Sequence, residues 1–409
     1  MEHSIFSEFL RMLVAVLLVA RLGGAIAQRV GQPAVLGELV SGVIAGPSLF
    51  GWIDPQVQVL HVLAELGVLL LLFAIGMETN LGELIRVGGT SITVAVVGVF
   101  LPFVLGFGAC RLLGLSGLQP VMAAATLTAT SVGITARVLS DLGHLRSIEG
   151  QIILGAAIID DVLGLLLLTI VEDVAQGQGV SAGMVVGATV RAVGFLVAAT
   201  VVGRWIVPTI FRAVERIDLP GTRTTFALVL AFAMAWLADR SGSAMIIGAF
   251  AGGLLVASLP EAHEIGRGIA GIGHFLVPIF FVSVGASVDL SALSPVDPSS
   301  RFALLTGGVL IVVGILGKLA AGYAPFWFRG NRAIVGIGMI PRGEVGLIFA
   351  QIGLNSGIFD SGLFGAAALM VMVTTLIVPP TLKRLIAMDH SNSVEPREPE
   401  AIEDLVARS

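Results

Sequence analysis

Long apolar stretches, separated by short polar connections, make up almost the whole chain. A helix needs about 20 apolar residues to cross a bilayer, and thirteen stretches approach or exceed that length. The predicted spans are 8–29, 33–51, 59–78, 90–113, 118–142, 149–172, 183–211, 222–239, 243–259, 267–288, 302–328, 331–356 and 360–387. Most connections are too short for an extramembrane domain. The final segment, 389–409, is polar and acidic, and this composition is typical of a disordered tail.

The composition agrees with the pattern of apolar stretches. Hydrophobic residues make up 56% of the chain and charged residues 12%, whereas soluble domains carry about 25% charged residues. The chain is therefore expected to be an integral membrane protein. The first apolar stretch lacks a clear small-residue cleavage site, so we expect it to be retained as a span. A single cysteine, Cys110, allows neither an internal disulfide nor a thiolate metal site.

Arginines in the connections indicate the orientation of the chain. The arginines after odd-numbered spans are Arg29, Arg86, Arg146, Arg212, Arg216, Arg223, Arg267, Arg329 and Arg332, and those on the other side are Arg11, Arg111, Arg240 and Arg301. Because Lys and Arg concentrate in cytoplasmic loops, we expect the N-terminus outside and the C-terminal tail in the cytoplasm.

Two of the predicted spans are interrupted. Span 5 contains "TLTATSVGITAR", with Thr130 and Ser131, and span 12 contains "GIGMIPRGEVGL", with Pro341. Proline removes a backbone donor, and non-helical backbone at membrane depth persists only inside protein or beside a water-filled cavity. Spans 5 and 12 run in opposite directions, so spans 1–6 and 8–13 form two inverted repeats if span 7 joins them. The predicted fold is an all-α polytopic membrane protein with crossed broken helices, as in secondary transporters.

Two adjacent acids, Asp160 and Asp161, lie near the middle of span 6 in "IILGAAIIDDVLGLLLL". A carboxylate at the bilayer centre costs about 2.5–3.5 kcal/mol on insertion scales. Adjacent helical residues point about 100° apart, so the two acids should face different neighbours. Lys318 lies deep in span 11 of a chain with 21 arginines and two lysines. Lysine changes its protonation state on burial more readily than arginine, which indicates a titrating partner for the acids.

The remaining polar residues of the interrupted spans have a more structural interpretation. Crossed half-helices bring partly positive N-termini together. Glu344 is expected to neutralise these N-termini, the hydroxyls of Thr130 and Ser131 to cap free N–H groups, and Arg342 to face the opposite, partly negative ends. The sequence shows no metal-ligand spacing, phosphate loop or nucleophile–base arrangement. We therefore expect no cofactor, no nucleic-acid partner and no enzymatic activity.

Two other classes of membrane protein use buried acids. A cation channel lines a continuous pore with carbonyl or acidic rings, whereas here the acids occur once, opposite a lysine that would oppose passive cation flow. An intramembrane aspartyl protease needs two carboxylates that share a proton across a gap. Adjacent acids on one helix cannot face each other, so both classes fit the sequence less well than a transporter does.

The motifs "TATSVGITARVLSDLG", "IILGAAIIDDVLGL", "GILGKLAAG" and "PRGEVGLI" resemble, in order and spacing, bacterial sodium/proton antiporters of the NapA type, in the second cation–proton antiporter family. The resemblance implies a homodimer that exchanges Na+ or Li+ for H+. It also implies that Asp161 carries the ions and that Asp160 pairs with Lys318. The predicted ion site comprises Asp161, Asp160, Thr130 and Ser131. The implied regions are panel helices that dimerise (1–89 and 216–300), core transport helices (90–176 and 301–388), a linker helix (177–215) and a cytoplasmic tail (389–409).

Some related potassium/proton exchangers carry a neutral residue before the aspartate and a large cytoplasmic nucleotide-binding domain. The acid at Asp160 and the short tail therefore favour Na+ or Li+ as the cation. Exchange of K+ for H+ on the same fold remains the alternative.

Overall fold

The computed structural model describes residues 2–55, 57–79, 81–175, 182–214, 219, 221–287 and 298–393. Within these residues the secondary structure consists of sixteen helices and no strands. They are α1 (Glu2–Arg29), α2 (Ala34–Ala45), α3 (Gln58–Glu78), α4 (Leu81–Arg86), α5 (Gly88–Leu112), α6 (Gln119–Thr126), α7 (Val132–Asp141), α8 (Ile148–Ala175), α9 (Ala182–Val214), α10 (Thr222–Arg240), α11 (Met245–Ala257), α12 (Ala262–Ala286), α13 (Pro298–Tyr323), α14 (Arg332–Gly338), α15 (Glu344–Asn355) and α16 (Ser361–Ser393).

The helices correspond to the thirteen predicted crossings. Spans 5 and 12 are each divided into two half-helices, α6 with α7 and α14 with α15, and the short helix α4 is too short to cross a bilayer. Six helices in the described part of the chain, α1, α3, α5, α12, α13 and α16, are long and apolar enough to cross a membrane unaided. The prediction of a polytopic all-α fold with two broken helices is confirmed.

Two helix boundaries and one additional helix differ from the sequence predictions. The second span was expected over 33–51, but α2 ends at Ala45 because the chain turns at Gly46, just before Pro47. The helix α4 was not predicted, since its six residues are too few to produce an apolar stretch. The tail was expected from residue 389, yet α16 continues to Ser393. The rest of the predicted tail, 394–409, lies outside the described residues.

The packing repeats itself between the two halves of the chain. Helix α1 packs on α2 as α10 packs on α11, and α5 packs on α6 as α13 packs on α14. The contact of α3 with α11 has its counterpart in the contact of α12 with α2. Equivalent pairs therefore form in both repeats, and because the broken spans run in opposite directions, the repeats are inverted.

Two groups of helices pack more extensively within themselves than with each other. We call α1, α2, α3, α10, α11 and α12 the panel group, and α5–α8 with α13–α16 the core group. The groups meet mainly where α7 packs on α2 and α3 and where α16 packs on α2. These meeting points lie toward the end of the bundle that holds Arg29, Arg86 and Arg146, which we call the arginine-rich face.

Candidate ion-binding site

The two broken helices cross where their helical hydrogen bonding stops. The chain is non-helical between α6 and α7 and again between α14 and α15. At the crossing, the backbone N–H of Ser131 donates to the carbonyl of Pro341, 2.9 Å away. Ser131 and Gly343, the residues that precede α7 and α15, lie side by side. The N-termini of the two half-helices therefore meet at one point.

The hydroxyl groups of span 5 satisfy carbonyls and do not cap N–H groups. Thr130 Oγ1 donates to the carbonyl of Met339 at 3.1 Å, and Thr135 Oγ1 donates to the carbonyl of Gly338 at 2.6 Å. Ser131 precedes α7 but makes no side-chain cap hydrogen bond. The expectation that Thr130 and Ser131 cap free N–H groups is wrong. Thr130 lies at the C-terminus of α14, where carbonyls lack partners, and the Ser131 hydroxyl makes no hydrogen bond within the described residues.

Asp160 and Lys318 form a fully buried ion pair. Lys318 Nζ lies 3.0 Å from Asp160 Oδ2, and both side chains are 0% exposed. The second carboxylate oxygen of Asp160, Oδ1, has no hydrogen-bond partner in the part of the chain that the structure describes. The pair joins α8 of the first repeat to α13 of the second, so it connects the two halves of the core group.

Asp161 faces a different environment from its neighbour. Asp161 is 7% exposed, whereas Asp160 is 0% exposed. Asp161 lines a crevice too narrow for a water molecule, together with Ala129, Thr130, Ser131, Val132, Ile246, Gly343 and Val345. The residues that line the crevice thus include one acid, two residues with hydroxyl groups and residues from the N-terminal ends of α7 and α15. Ile246 is the second residue of α11, whose N-terminal end follows Arg240, so the crevice lies toward the face opposite the arginine-rich one.

Arg342 is a second buried cation beside the ion pair. It is 0% exposed, and its Nη1 donates to the carbonyl of Met339 at 3.3 Å, at the C-terminal end of α14. Its position at a partly negative helix end agrees with the role expected from the sequence. Its own carbonyl accepts a hydrogen bond from the Thr375 hydroxyl. The side chain of Glu344 lies outside the described part of the structure, so its expected neutralising role stays a prediction.

Two residues that the sequence did not single out support the site. Gly98 on α5 packs against the side chain of Lys318, and a methyl group at Gly98 would be 3.3 Å from Lys318 Nζ. Thr135, through its bond to Gly338, ties α7 to the end of α14. Gly98 is one of 52 glycines, and its sequence context does not distinguish it from the others. Thr135 belongs to the same run of hydroxyl residues as Thr130, and this run in an apolar span could have marked Thr135 as part of the site.

The arginine-rich side of the crossing is closed by packing. Gly133 on α7 faces Val68 and Leu71 of α3 and Phe280 of α12, with 3.6–3.7 Å between its Cβ position and their side chains. At the rim, Lys383 Nζ of α16 donates to the carbonyl of Gly31. These contacts separate the crevice from the arginine-rich face.

Comparison with known proteins identifies the family. Residues 14–387 match the family described as sodium/hydrogen exchanger, transmembrane. The chain is 38% identical over 406 residues to the high-affinity Na+/H+ antiporter NhaS3 of Synechocystis sp., covering 91% of this chain and 88% of the relative. It is 33% identical over 390 residues to the Na+/H+ antiporter of Enterococcus hirae, covering 94% of this chain and 100% of the relative. This chain therefore belongs to the sodium/hydrogen exchanger family, which confirms the resemblance to bacterial sodium/proton antiporters.

The fold also matches a solved antiporter. The sodium proton antiporter MjNhaP1 of Methanocaldococcus jannaschii, solved at pH 8, superimposes with a TM-score of 0.65 and covers 93% of this chain and 98% of its own. The sequence identity is 16%, so this likeness shows the shared fold and carries no information about individual site residues.

Proposed function

We propose that this protein exchanges Na+ or Li+ for H+ across the membrane by alternating access, with Asp161 as the shared carrier of cation and proton. The observation that carries the proposal is the position of Asp161, whose carboxylate lines a crevice at the crossing of two broken helices. Interrupted helices at the membrane midplane form the ion sites of many secondary transporters. The named activities of the two curated relatives support Na+ as the cation. Exchange of K+ for H+ is the alternative.

The crevice provides what a dehydrated alkali cation needs. Na+ is a hard cation that prefers oxygen ligands, and the carboxylate of Asp161 and the hydroxyl oxygens of Thr130 and Ser131 line one small space. The adjacent N-termini of α7 and α15 carry partial positive charge, which offsets the charge of the empty carboxylate. A proton on Asp161 removes the negative charge that holds the cation. Cation and proton therefore compete for one group, and competition of this kind makes the exchange obligatory.

The ion pair of Asp160 and Lys318 couples the carrier to a second proton. While the site lacks a cation, Asp160 keeps Lys318 protonated across their 3.0 Å contact. A cation that arrives at Asp161, the next residue, adds positive charge close to Lys318 and favours release of the lysine proton. One cation would then displace two protons, and the cycle would move net charge across the membrane.

Alternating access needs the core group to move against the panel group. We assign 90–176 and 301–388 to the moving core, 1–89 and 216–300 to the panel that dimerises, and 177–215 to the linker helix. The support is the packing, which is extensive within each group and limited between them. In the present arrangement the arginine-rich side is closed. Sliding of α7 along α2 and α3 would open that side and close the other.

We place the protein in the plasma membrane as a homodimer, with the N-terminus outside and the C-terminus in the cytoplasm. The arginine-rich face is then cytoplasmic, and the crevice lies nearer the outer face. A row of exposed apolar residues along α1, namely Leu10, Val14, Leu18, Leu22 and Ile26, is available to lipid or to a second copy. Chemical cross-linking in native membranes and labelling of terminal tags from each side test these assignments.

Reconstitution in liposomes with an imposed proton gradient tests the function. We expect Na+ and Li+, each added alone, to dissipate the gradient in a saturable manner, and K+ to do so less. Asp161→Asn removes the exchangeable charge and should abolish the exchange while the protein still purifies as a folded species. Normal exchange by a folded Asp161→Asn protein would end the proposal. A K+ response larger than that of Na+ would favour the alternative, and non-saturating flux without a proton gradient would indicate a channel.

A further inference from the structure

Gly343 lies in the non-helical segment just before α15, and its backbone conformation does not explain the choice of glycine. Its φ is −137° and its ψ is −145°, outside the left-handed region that favours glycine. A residue with a side chain could therefore adopt these angles. The reason for a glycine has to be found in the space around it.

That space is occupied by Ser131. A methyl group at position 343 would lie 2.7 Å from Oγ and 2.8 Å from Cβ of Ser131. The hydroxyl can rotate away, but the Cβ cannot, because the backbone of Ser131 is bonded to the carbonyl of Pro341 at 2.9 Å. Because this hydrogen bond holds the two segments together, a side chain at 343 would displace the side chain of Ser131. The crossing has room for one side chain between positions 131 and 343.

The side chain in that space is a buried hydroxyl with no protein partner. Ser131 is 4% exposed, and its Oγ makes no hydrogen bond within the described residues. A buried polar group in this condition costs free energy, and such groups need a specific explanation. Ser131, Gly343 and Asp161 line the same crevice. A ligand that occupies the crevice beside Asp161 would provide the missing partner.

We infer that Ser131 and Gly343 together set the size of the cation site and hence its selectivity among Li+, Na+ and K+. The inference rests on the proposed function. The single hydroxyl supplies a ligand oxygen, and the absence of a side chain at Gly343 leaves room for Ser131 between the two segments. A methyl group on Gly343 would force the Ser131 side chain toward the crevice and make the site smaller, and removal of the Ser131 side chain would make it larger. One methyl group changes the discrimination of a pocket by about tenfold or more.

The test measures KM and kcat for Li+, Na+ and K+ in liposomes. For Gly343→Ala we expect the KM for Na+ to rise about tenfold, the KM for Li+ to rise much less, and K+ transport to be lost. For Ser131→Gly we expect the opposite trend, with the KM for K+ approaching that for Na+. Because the two changes act in opposite directions, Ser131→Gly still decides the question if Gly343→Ala does not fold.

A swap variant and a matched glycine provide the controls. Ser131→Gly combined with Gly343→Ser returns one hydroxyl to the space from the other segment, and we expect the KM for Na+ to return to within about threefold of the wild-type value. Gly308 lies on α13 in the core group, and a methyl group there meets nothing within 4 Å. Gly308→Ala should leave the ratio of KM values for Li+ and Na+ unchanged.

The outcomes separate this inference from the function on which it rests. If the wild-type protein exchanges none of the three cations, the proposed function fails. If it exchanges Na+ but Gly343→Ala and Ser131→Gly change all cations by the same factor, the function stands and the inference is overturned. A swap variant that stays as impaired as either single variant would also overturn it, since the shared space would then have no bearing on selectivity.

Discussion

Four charged side chains that the structure describes lie together at the centre of the molecule. Asp160, Asp161, Lys318 and Arg342 are each at most 7% exposed, and with all four ionised their charges sum to zero. Removal of one partner from a buried pair costs about 3–5 kcal/mol because the other charge is left uncompensated. The sequence predicted the pairing of Asp160 with Lys318. The position of Arg342 beside the pair could not be predicted, because it depends on how α14 and α15 cross α6 and α7.

Lys318→Gln tests whether the lysine carries a proton through the cycle. Glutamine keeps a polar group of similar length, so we expect exchange to continue at a reduced rate while the charge moved per Na+ falls. A membrane potential acts on net charge at about 2.3 kcal/mol per charge per 100 mV, so the voltage dependence should shrink as well. Current recorded on a solid-supported membrane measures both quantities.

A variant of Asp160, the acid that pairs with Lys318, provides the control for the Lys318→Gln experiment. Asp160→Asn should weaken the exchange without abolishing it, because Asp161 remains as carrier. A purely structural lysine predicts either misfolding of Lys318→Gln or an unchanged charge per Na+. A folded Lys318→Gln protein that moves as much charge per Na+ as the wild type would contradict the coupling and leave Asp161 as the only proton carrier.

Gly98→Ala tests the placement of Lys318 without changing a charge. The new methyl group would lie 3.3 Å from Nζ and 3.4 Å from Cδ of Lys318, so the lysine must shift relative to Asp160. We expect exchange to slow by about tenfold, equivalent to about 1.4 kcal/mol. Gly108→Ala on the same helix meets nothing within 4 Å and should behave as wild type. Equal rates for both variants in the liposome assay would show that the position of Lys318 is not critical.

At the scale of helices, the sequence predicted where the chain breaks but not how the breaks are held together. Pro341 and the run of hydroxyls around Thr130 marked the two interruptions. A hydroxyl can both donate and accept a hydrogen bond, so its partner could not be read from the chain. The structure shows that the hydroxyls of Thr130 and Thr135 donate to carbonyls at the end of α14. These partners are about 200 positions away in the chain, so they are known only from the fold.

Thr135→Val tests the contribution of this contact to stability. The substitution keeps the shape of the side chain and removes the donor to the Gly338 carbonyl, which is 2.6 Å away. Hydrogen bonds inside membrane proteins contribute about 0.6 kcal/mol on average and at most about 1.7 kcal/mol, so we expect a loss of about 1 kcal/mol in detergent unfolding. Thr93→Val, at an exposed position on α5, is the control. Similar losses for both variants would argue against a special role for the crossing.

At the scale of the whole molecule, the resemblance led to a prediction of two helix groups, whereas the side of the crossing that is closed by packing is visible only in the structure. The closed side depends on packing between α7 and the helices α2 and α3. Helices α2 and α3 are apolar on several faces, so the sequence does not show which of their faces meets α7. Exchange requires that these contacts break in every cycle, which makes them the place to restrain the motion.

A covalent link between the groups should therefore stop transport. Leu71 of α3 and Gly133 of α7 face each other, with 3.7 Å between a Leu71 methyl carbon and the Cβ position of Gly133. In a Cys110→Ala background, cysteines at 71 and 133 joined by a short bifunctional thiol reagent should block Na+/H+ exchange in liposomes, and cleavage of a reducible reagent should restore it. The control pair, Gly307 and Leu369, lies within the core group, where a methyl at 307 would be 3.0 Å from Leu369. Linking this pair should leave exchange intact, because α13 and α16 move together.

Full exchange with the 71–133 link in place would rule out a moving core. Loss of exchange with the 307–369 link alone would show that the core itself has to deform.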